Sequence, residues 1–95
     1  MAMTRMHNPP HPGTVLKSYL EGHTIGSVAA HLGVSRVTLT RILGGHSAIT
    51  AEMSIRLGEA LKTSGEFWFT MQNNYDFWVA SQVKRKKVTP LREAA

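Results

Sequence analysis

The sequence of 95 residues contains no cysteine, so it can form neither a disulfide bond nor a thiolate metal site. It also contains no apolar run approaching the roughly 20 residues that a helix needs to cross a bilayer. The N-terminus lacks the apolar stretch of a secretory signal peptide. These absences favour a soluble, cytoplasmic protein with no membrane partner.

Acidic residues are also scarce, since six Asp and Glu stand against eleven Lys and Arg, for a formal charge of +5 at pH 7. Such an excess indicates an acidic partner such as nucleic acid. Residues 84–95 hold five of the basic and one of the acidic residues, a net +4, which leaves the rest of the chain near neutral. A basic run of this kind is more often a solvated tail than a phosphate contact. The evidence for a nucleic-acid partner must therefore come from a motif.

The hydrophobic share of 42% and the charged share of 18% are typical of one folded globular domain. We expect a flexible N-terminal arm at residues 1–11, a folded domain at 12–82 and a basic tail at 83–95. His7 and His11 lie in the arm with no cysteine and no nearby carboxylate. We therefore expect neither a metal site nor a cofactor.

The centre of the chain, residues 24–45, has the pattern of two short helices joined by a tight turn. Thr24 and Ser35 are each placed to cap a helix N-terminus with the side-chain hydroxyl. Gly33 between them suits a left-handed residue at the end of the first helix. Apolar residues recur at helical spacing in both segments: Val28, Ala29 and Leu32, then Leu39, Ile42 and Leu43. The pattern predicts a helix-turn-helix whose second helix can enter a major groove.

The outward face of that second helix carries short polar and basic side chains, and residues 24–45 contain no acidic residue. A solvated structural face usually mixes Glu with Lys or Arg, whereas this face suits contact with phosphates and base edges. A structural hairpin that binds nothing is the alternative. The predicted DNA-binding residues are Thr24, Ser35, Arg36, Val37, Thr38, Thr40, Arg41 and His46, the last of them in the connection after the motif.

Three further helices are predicted around the motif, which makes the fold all-α. Pro12 suits the first position of a helix that ends near Gly22. Thr50 is placed to cap a helix that ends near Lys62, and Ser64 is placed to cap a long last helix.

Six of the seven aromatic residues lie in the last predicted helix, between Phe67 and Trp78. At 100° per residue one face is predicted to be buried: Phe67, Trp68, Met71, Tyr75, Trp78, Val79 and Gln82. Phe69 and Phe77 fall on the other side, which a domain of this size has no second layer to cover. These two residues predict an interface with a second subunit or another partner.

Four stretches resemble the HigA-type antitoxins, a branch of the lambda-repressor-like helix-turn-helix proteins: residues 11–13, 28–36, 49–57, and 66–72 followed by 75–78. The aromatic segment is more specific to this branch than the helix-turn-helix alone. Gly26 stands where a polar residue that favours helix is usual, and Gly65 replaces a common proline. Both departures should loosen a helix start without altering the fold.

The resemblance implies a five-helix, lambda-repressor-like DNA-binding domain that acts as a homodimer on an inverted-repeat operator in double-stranded DNA. It also implies a cognate toxin, usually a small RNA-cleaving protein of the RelE-like fold. The antitoxin would neutralise this toxin and repress their shared promoter. A stand-alone or phage-type transcriptional regulator and a pure interaction protein are the alternatives. An enzyme is the weakest class, because the sequence has no nucleophile–base spacing and no phosphate-binding glycine loop.

Overall fold

The computed structural model describes residues 8–92 of the chain. This part contains five α-helices and no strand, which confirms the predicted all-α, five-helix fold. The helices are α1 (Pro12–Tyr19), α2 (Ile25–Leu32), α3 (Arg36–Leu43), α4 (Ala51–Leu61) and α5 (Gly65–Gln82). The predicted arm and tail fall partly outside the described residues, which exclude 1–7 and 93–95. None of the described helices has the length and hydropathy needed to cross a membrane.

Each helix begins at a residue whose side chain pairs with a backbone N–H that the helix itself leaves unpaired. Thr24, Ser35, Thr50 and Ser64 accept a hydrogen bond from the N–H three residues later, which confirms the four predicted caps. His11 caps α1 through its Nδ1 atom, which accepts a hydrogen bond from the second residue after it at 2.8 Å. Imidazole is not a preferred cap, and this role was not expected.

The core lies where all five helices meet. Trp68 of α5 is fully buried, and its indole N–H donates to the hydroxyl of Thr63 at 2.9 Å, so the buried nitrogen is satisfied. The buried hydrophobic residues are Leu16, Leu20, Ala29, Leu32, Leu39, Ile42, Ile49, Met53, Leu57 and Trp68. Both helices of the central motif contribute to this cluster, and packing of α3 against α1 and of α2 against α4 fixes the motif.

The prediction for α5 placed too many residues in the core. Trp68 is the one residue of the predicted face that is fully buried, and three others are half-buried: Met71, Tyr75 and Trp78. The prediction is wrong for three exposed residues: Phe67, Val79 and Gln82. The last turn, residues 79–82, is exposed on all sides, because α5 extends past the elements that cover its first half.

Gln72 of α5 is a buried polar residue that the pattern missed. Its Oε1 accepts a hydrogen bond from the backbone N–H of Ile49 at 2.8 Å, and its Nε2 donates to Asp76 at 2.9 Å. A buried N–H without a partner would destabilise the fold. Gln72 therefore attaches α5 to the connection that follows α3.

Candidate nucleic-acid interface

The turn between α2 and α3 is held by Gly33 together with a side chain from α4. Gly33 has φ of 76°, the left-handed conformation that the sequence predicted. The guanidinium of Arg56 donates from Nη1 to the carbonyl oxygen of Leu32 at 2.8 Å and from Nη2 to Glu52 at 2.9 Å. Arg56 thereby pairs a carbonyl left free at the end of α2 and fixes the motif against α4.

Helix α3 has one buried face and one exposed face. Leu39 and Ile42 are buried in the core. All five residues predicted to face outward are exposed: Arg36, Val37, Thr38, Thr40 and Arg41. Val37 is 69% exposed, and an apolar side chain at such a position suits contact with a thymine methyl group.

The hydroxyls at the starts of α2 and α3 are engaged in capping. Ser35 Oγ accepts a hydrogen bond from the Thr38 N–H at 3.0 Å and donates to the Thr38 hydroxyl at 2.9 Å. Thr24 Oγ1 accepts from the Ser27 N–H at 3.2 Å and donates to the Ser27 hydroxyl at 3.0 Å. Three predicted DNA-binding residues, Thr24, Ser35 and Thr38, therefore use their hydroxyls in hydrogen bonds at the helix starts.

The two arginines of α3 differ in their surroundings. The Arg36 side chain lies beside Gly26 of α2, where an added Cβ would be 3.6 Å from its Nε. Arg41 reaches over the connection after α3, donating from Nε to Ser47 Oγ at 3.0 Å and from Nη2 to the His46 carbonyl at 3.2 Å. Arg36 thus stays at the start of the exposed face, whereas Arg41 stiffens the connection that carries the exposed His46.

The same connection is bordered by His11 at the start of α1. The imidazole packs edge-on against the ring of Tyr75 of α5, with centroids 4.9 Å apart. Burial lowers the pKa of His11, an effect that the charge of Asp76 and a backbone hydrogen bond to Ser47 oppose. A lowered pKa keeps the ring neutral at pH 7, as its acceptor role at Nδ1 requires. The connection after α3 is therefore held from both α1 and α5.

Lys17 is a candidate contact that the sequence analysis missed. It lines a surface depression together with Thr24, Ile25 and Thr40, beside the predicted DNA-binding residues. Lys17 lies in α1, so the helix-turn-helix pattern of residues 24–45 does not include it. The basic residue in the last turn of α1 was the available signal.

The two aromatics predicted to form an interface are both exposed, and they line two separate depressions along α5. Phe69 is 42% exposed and lines a groove between α4 and α5 with Ile55, which is 58% exposed. Phe77 is 60% exposed and lies further along α5, beside Val83 and the first basic residues of the tail.

The sequence pattern of the helix-turn-helix family matches residues 16–68. Virulence-associated protein A' of Dichelobacter nodosus is 43% identical over 80% of this chain and 69% of that protein. Antitoxin HigA-1 of Vibrio cholerae is 35% identical over 87% of this chain and 84% of that protein. The solved structure of the Pseudomonas aeruginosa antitoxin HigA with the higBA promoter matches with a TM-score of 0.74 at 35% identity, covering 76% of this chain and 82% of that one. The chain therefore belongs to the lambda-repressor-like helix-turn-helix family, in the branch of the HigA-type antitoxins.

Proposed function

We propose that this protein is the antitoxin of a toxin–antitoxin module, a DNA-binding autorepressor that acts in the cytoplasm. It represses its own promoter and neutralises a RelE-like, RNA-cleaving toxin encoded beside it. The observation that carries the DNA-binding part is the exposed face of α3, which presents two arginines, two threonines and a valine with no carboxylate. The HigA relatives, one of them solved with its promoter, support the antitoxin part.

In this proposal α3 lies in the major groove and the connection after it lies along the phosphate backbone. Arg36, at the start of α3, is placed to pair with a guanine edge, and Val37 to contact a thymine methyl group. Arg41, His46 and Lys17 are placed at the border of this face and contact phosphates, which fix the register of the protein on the duplex.

Arg36→Ala is expected to weaken operator binding by about 1–3 kcal/mol and to relax specificity at one base pair, since it removes a bidentate pairing with a base edge. Arg41→Ala should weaken binding to all sequences alike, because it removes a phosphate contact and loosens the connection at Ser47. Titrations against a panel of single-base operator variants measure both effects. Lys62→Ala, at the end of α4, is the control and should bind as the wild type does. A uniform loss across the panel for Arg36→Ala would refute its base-reading role.

The toxin part of the proposal is tested with the small reading frame adjacent to the gene. Expression of that frame alone should arrest growth, and co-expression of this protein should restore growth and yield a co-purified complex. A neighbouring product that is harmless would refute the toxin part and leave a stand-alone transcriptional regulator.

The proposal includes a homodimer. One α3 reads only a few base pairs, too few to distinguish an operator within a genome. Twofold symmetry places two recognition helices about 34 Å apart on successive major grooves, which doubles the sequence read. The exposed aromatics of α5, Phe69 with its neighbour Ile55 and the more distant Phe77, supply apolar surface for this interface.

Phe69→Asp combined with Phe77→Asp is expected to convert the dimer into a monomer, because both charges would be buried without partners in the interface. Analytical ultracentrifugation measures the mass, and circular dichroism must show that the helices are retained. Val37→Asp introduces one negative charge at an exposed apolar position of α3 and should leave the dimer intact. A double variant that stays dimeric would show that these side chains lie outside the interface.

A further inference from the structure

The segment that follows α5 begins with a run of four consecutive basic residues. Residues 77–92 contain no Asp or Glu and hold five of the eleven Lys and Arg of the chain: Lys84, Arg85, Lys86, Lys87 and Arg92. Residues 83–92 form no helix and are all exposed. Within residues 77–92, four consecutive cations are therefore presented to solvent with no carboxylate in the same stretch of chain.

The contacts of α5 show how far the tail begins from the connection after α3. Gln72 bonds the backbone of Ile49, and Tyr75 packs on His11, so the middle of α5 lies against the connection after α3. From Tyr75 the helix continues for seven residues, or about 10 Å, to its end at Gln82.

The start of the tail lies beside the last turns of α5. Phe77 of α5 and the side chains of Val83, Lys84 and Arg85 line one depression, so the first residues of the tail lie along the last turns of the helix. Ten residues of extended chain span at most roughly 33 Å. Residues 83–92 can therefore follow a duplex well beyond the reach of α3 and its connection.

The distribution of charge along the chain shows what this segment adds. Without residues 84–95 the chain carries a net charge of only +1. Of the two arginines on α3, Arg41 already donates two hydrogen bonds within the protein. Affinity for a duplex rises with the number of phosphates neutralised, through the release of condensed counterions. The four cations of the tail outnumber the two arginines on the exposed face of α3.

We propose that residues 84–87 bind the phosphate backbone of the operator, beside the contact made by the connection after α3. This inference rests on the proposed operator binding. A duplex suits the segment better than an acidic protein surface, because phosphate contacts of this kind require no fixed side-chain geometry. A segment without secondary structure meets that condition and needs no ordered partner pocket.

The test uses the full chain, a fluorescent duplex of its own promoter and a random duplex of equal length, titrated by anisotropy at several salt concentrations. In the fourfold variant, Gln replaces Lys84, Arg85, Lys86 and Lys87. The slope of log K against log[salt] should become less steep by about 2–4, near 0.9 for each phosphate that the variant no longer neutralises. Affinity should fall by the same factor for both duplexes. The preference for the promoter should persist, because the side chains that read bases are unchanged.

A matched pair of variants separates a local contact from a change in overall charge. The first is a double variant of the tail, Lys86→Gln combined with Lys87→Gln. The second is the single variant Lys62→Glu at the end of α4. Each lowers the net charge by two units at exposed positions. The slope should fall for the tail variant and stay at the wild-type value for Lys62→Glu. Equal losses in the two variants would overturn the proposal, as would an unchanged slope in the fourfold variant. A wild type that fails to prefer its promoter would instead overturn the operator binding on which the inference rests.

Discussion

Gly13→Ala is expected to be the most destabilising of the conservative substitutions in this chain, with a loss of about 3 kcal/mol or more in the free energy of unfolding. A Cβ at Gly13 would collide with the carbonyl oxygen of Ile42 and approach Nδ1 of His11 to 3.1 Å. The carbonyl is backbone and already accepts a hydrogen bond from Gly45 at 3.0 Å, so it has little freedom to shift. Overpacking costs typically about 1–3 kcal/mol and more where backbone must move.

Urea unfolding followed by circular dichroism measures this loss. Gly26→Ala in the first turn of α2 is the control, because its Cβ would meet only the Arg36 side chain, at 3.6 Å. A helical glycine replaced by alanine gains about 0.5–1 kcal/mol where space allows. The two glycine-to-alanine variants should therefore shift the unfolding midpoint in opposite directions. Equal shifts would show that α1 does not approach the end of α3 so closely.

Gly33→Val is expected to destabilise the protein by about 2–4 kcal/mol, for two separate reasons. The φ of 76° is strained for any residue with a Cβ, and most for a β-branched one. The new Cβ would also lie 2.9 Å from Nη1 of Arg56, which bonds the Leu32 carbonyl. A displaced guanidinium loses a charged hydrogen bond, worth about 1.5–3 kcal/mol.

Gly22→Val separates the two effects. Gly22 also has a left-handed φ, of 89°, but an added Cβ there would meet no atom within 4 Å. The urea midpoint of Gly22→Val should fall only because of the backbone strain at positive φ. The midpoint of Gly33→Val should fall further, because Arg56 is displaced as well. In an Arg56→Ala background the gap between the two glycine variants should close. A gap that persists would show that Arg56 does not contribute to the cost.

The elements that the sequence predicted well depend on chemistry between neighbouring residues. The hydroxyl caps at Thr24 and Ser35 and the left-handed turn at Gly33 each need only a few residues, so the pattern is visible in the chain itself. The roles of Arg56 and Gln72 were missed because their partners, Leu32 and Ile49, lie 24 and 23 residues away. Nothing local distinguishes either side chain from an ordinary surface residue.

Helical periodicity also has a limit that α5 makes plain. It predicts which residues share a face, but a face is buried only along the length that other elements cover. Trp68 lies opposite α1 and is buried, whereas Val79 lies on the same predicted face in the exposed last turn. Likewise the exposed face of α3 was predicted in full, while Lys17 of α1 could be placed beside it only in three dimensions.

The division of α3 into a buried and an exposed face bears on how such a protein can diverge. Leu39 and Ile42 hold the helix in the core, while Val37 and Thr40 on the opposite face take no part in it. Exchanges at exposed positions of this kind usually alter stability by less than about 0.5 kcal/mol. Under the proposed reading of the operator by α3, duplicated copies of the gene acquire distinct operators by drift at a few codons, without a compensating change elsewhere in the domain.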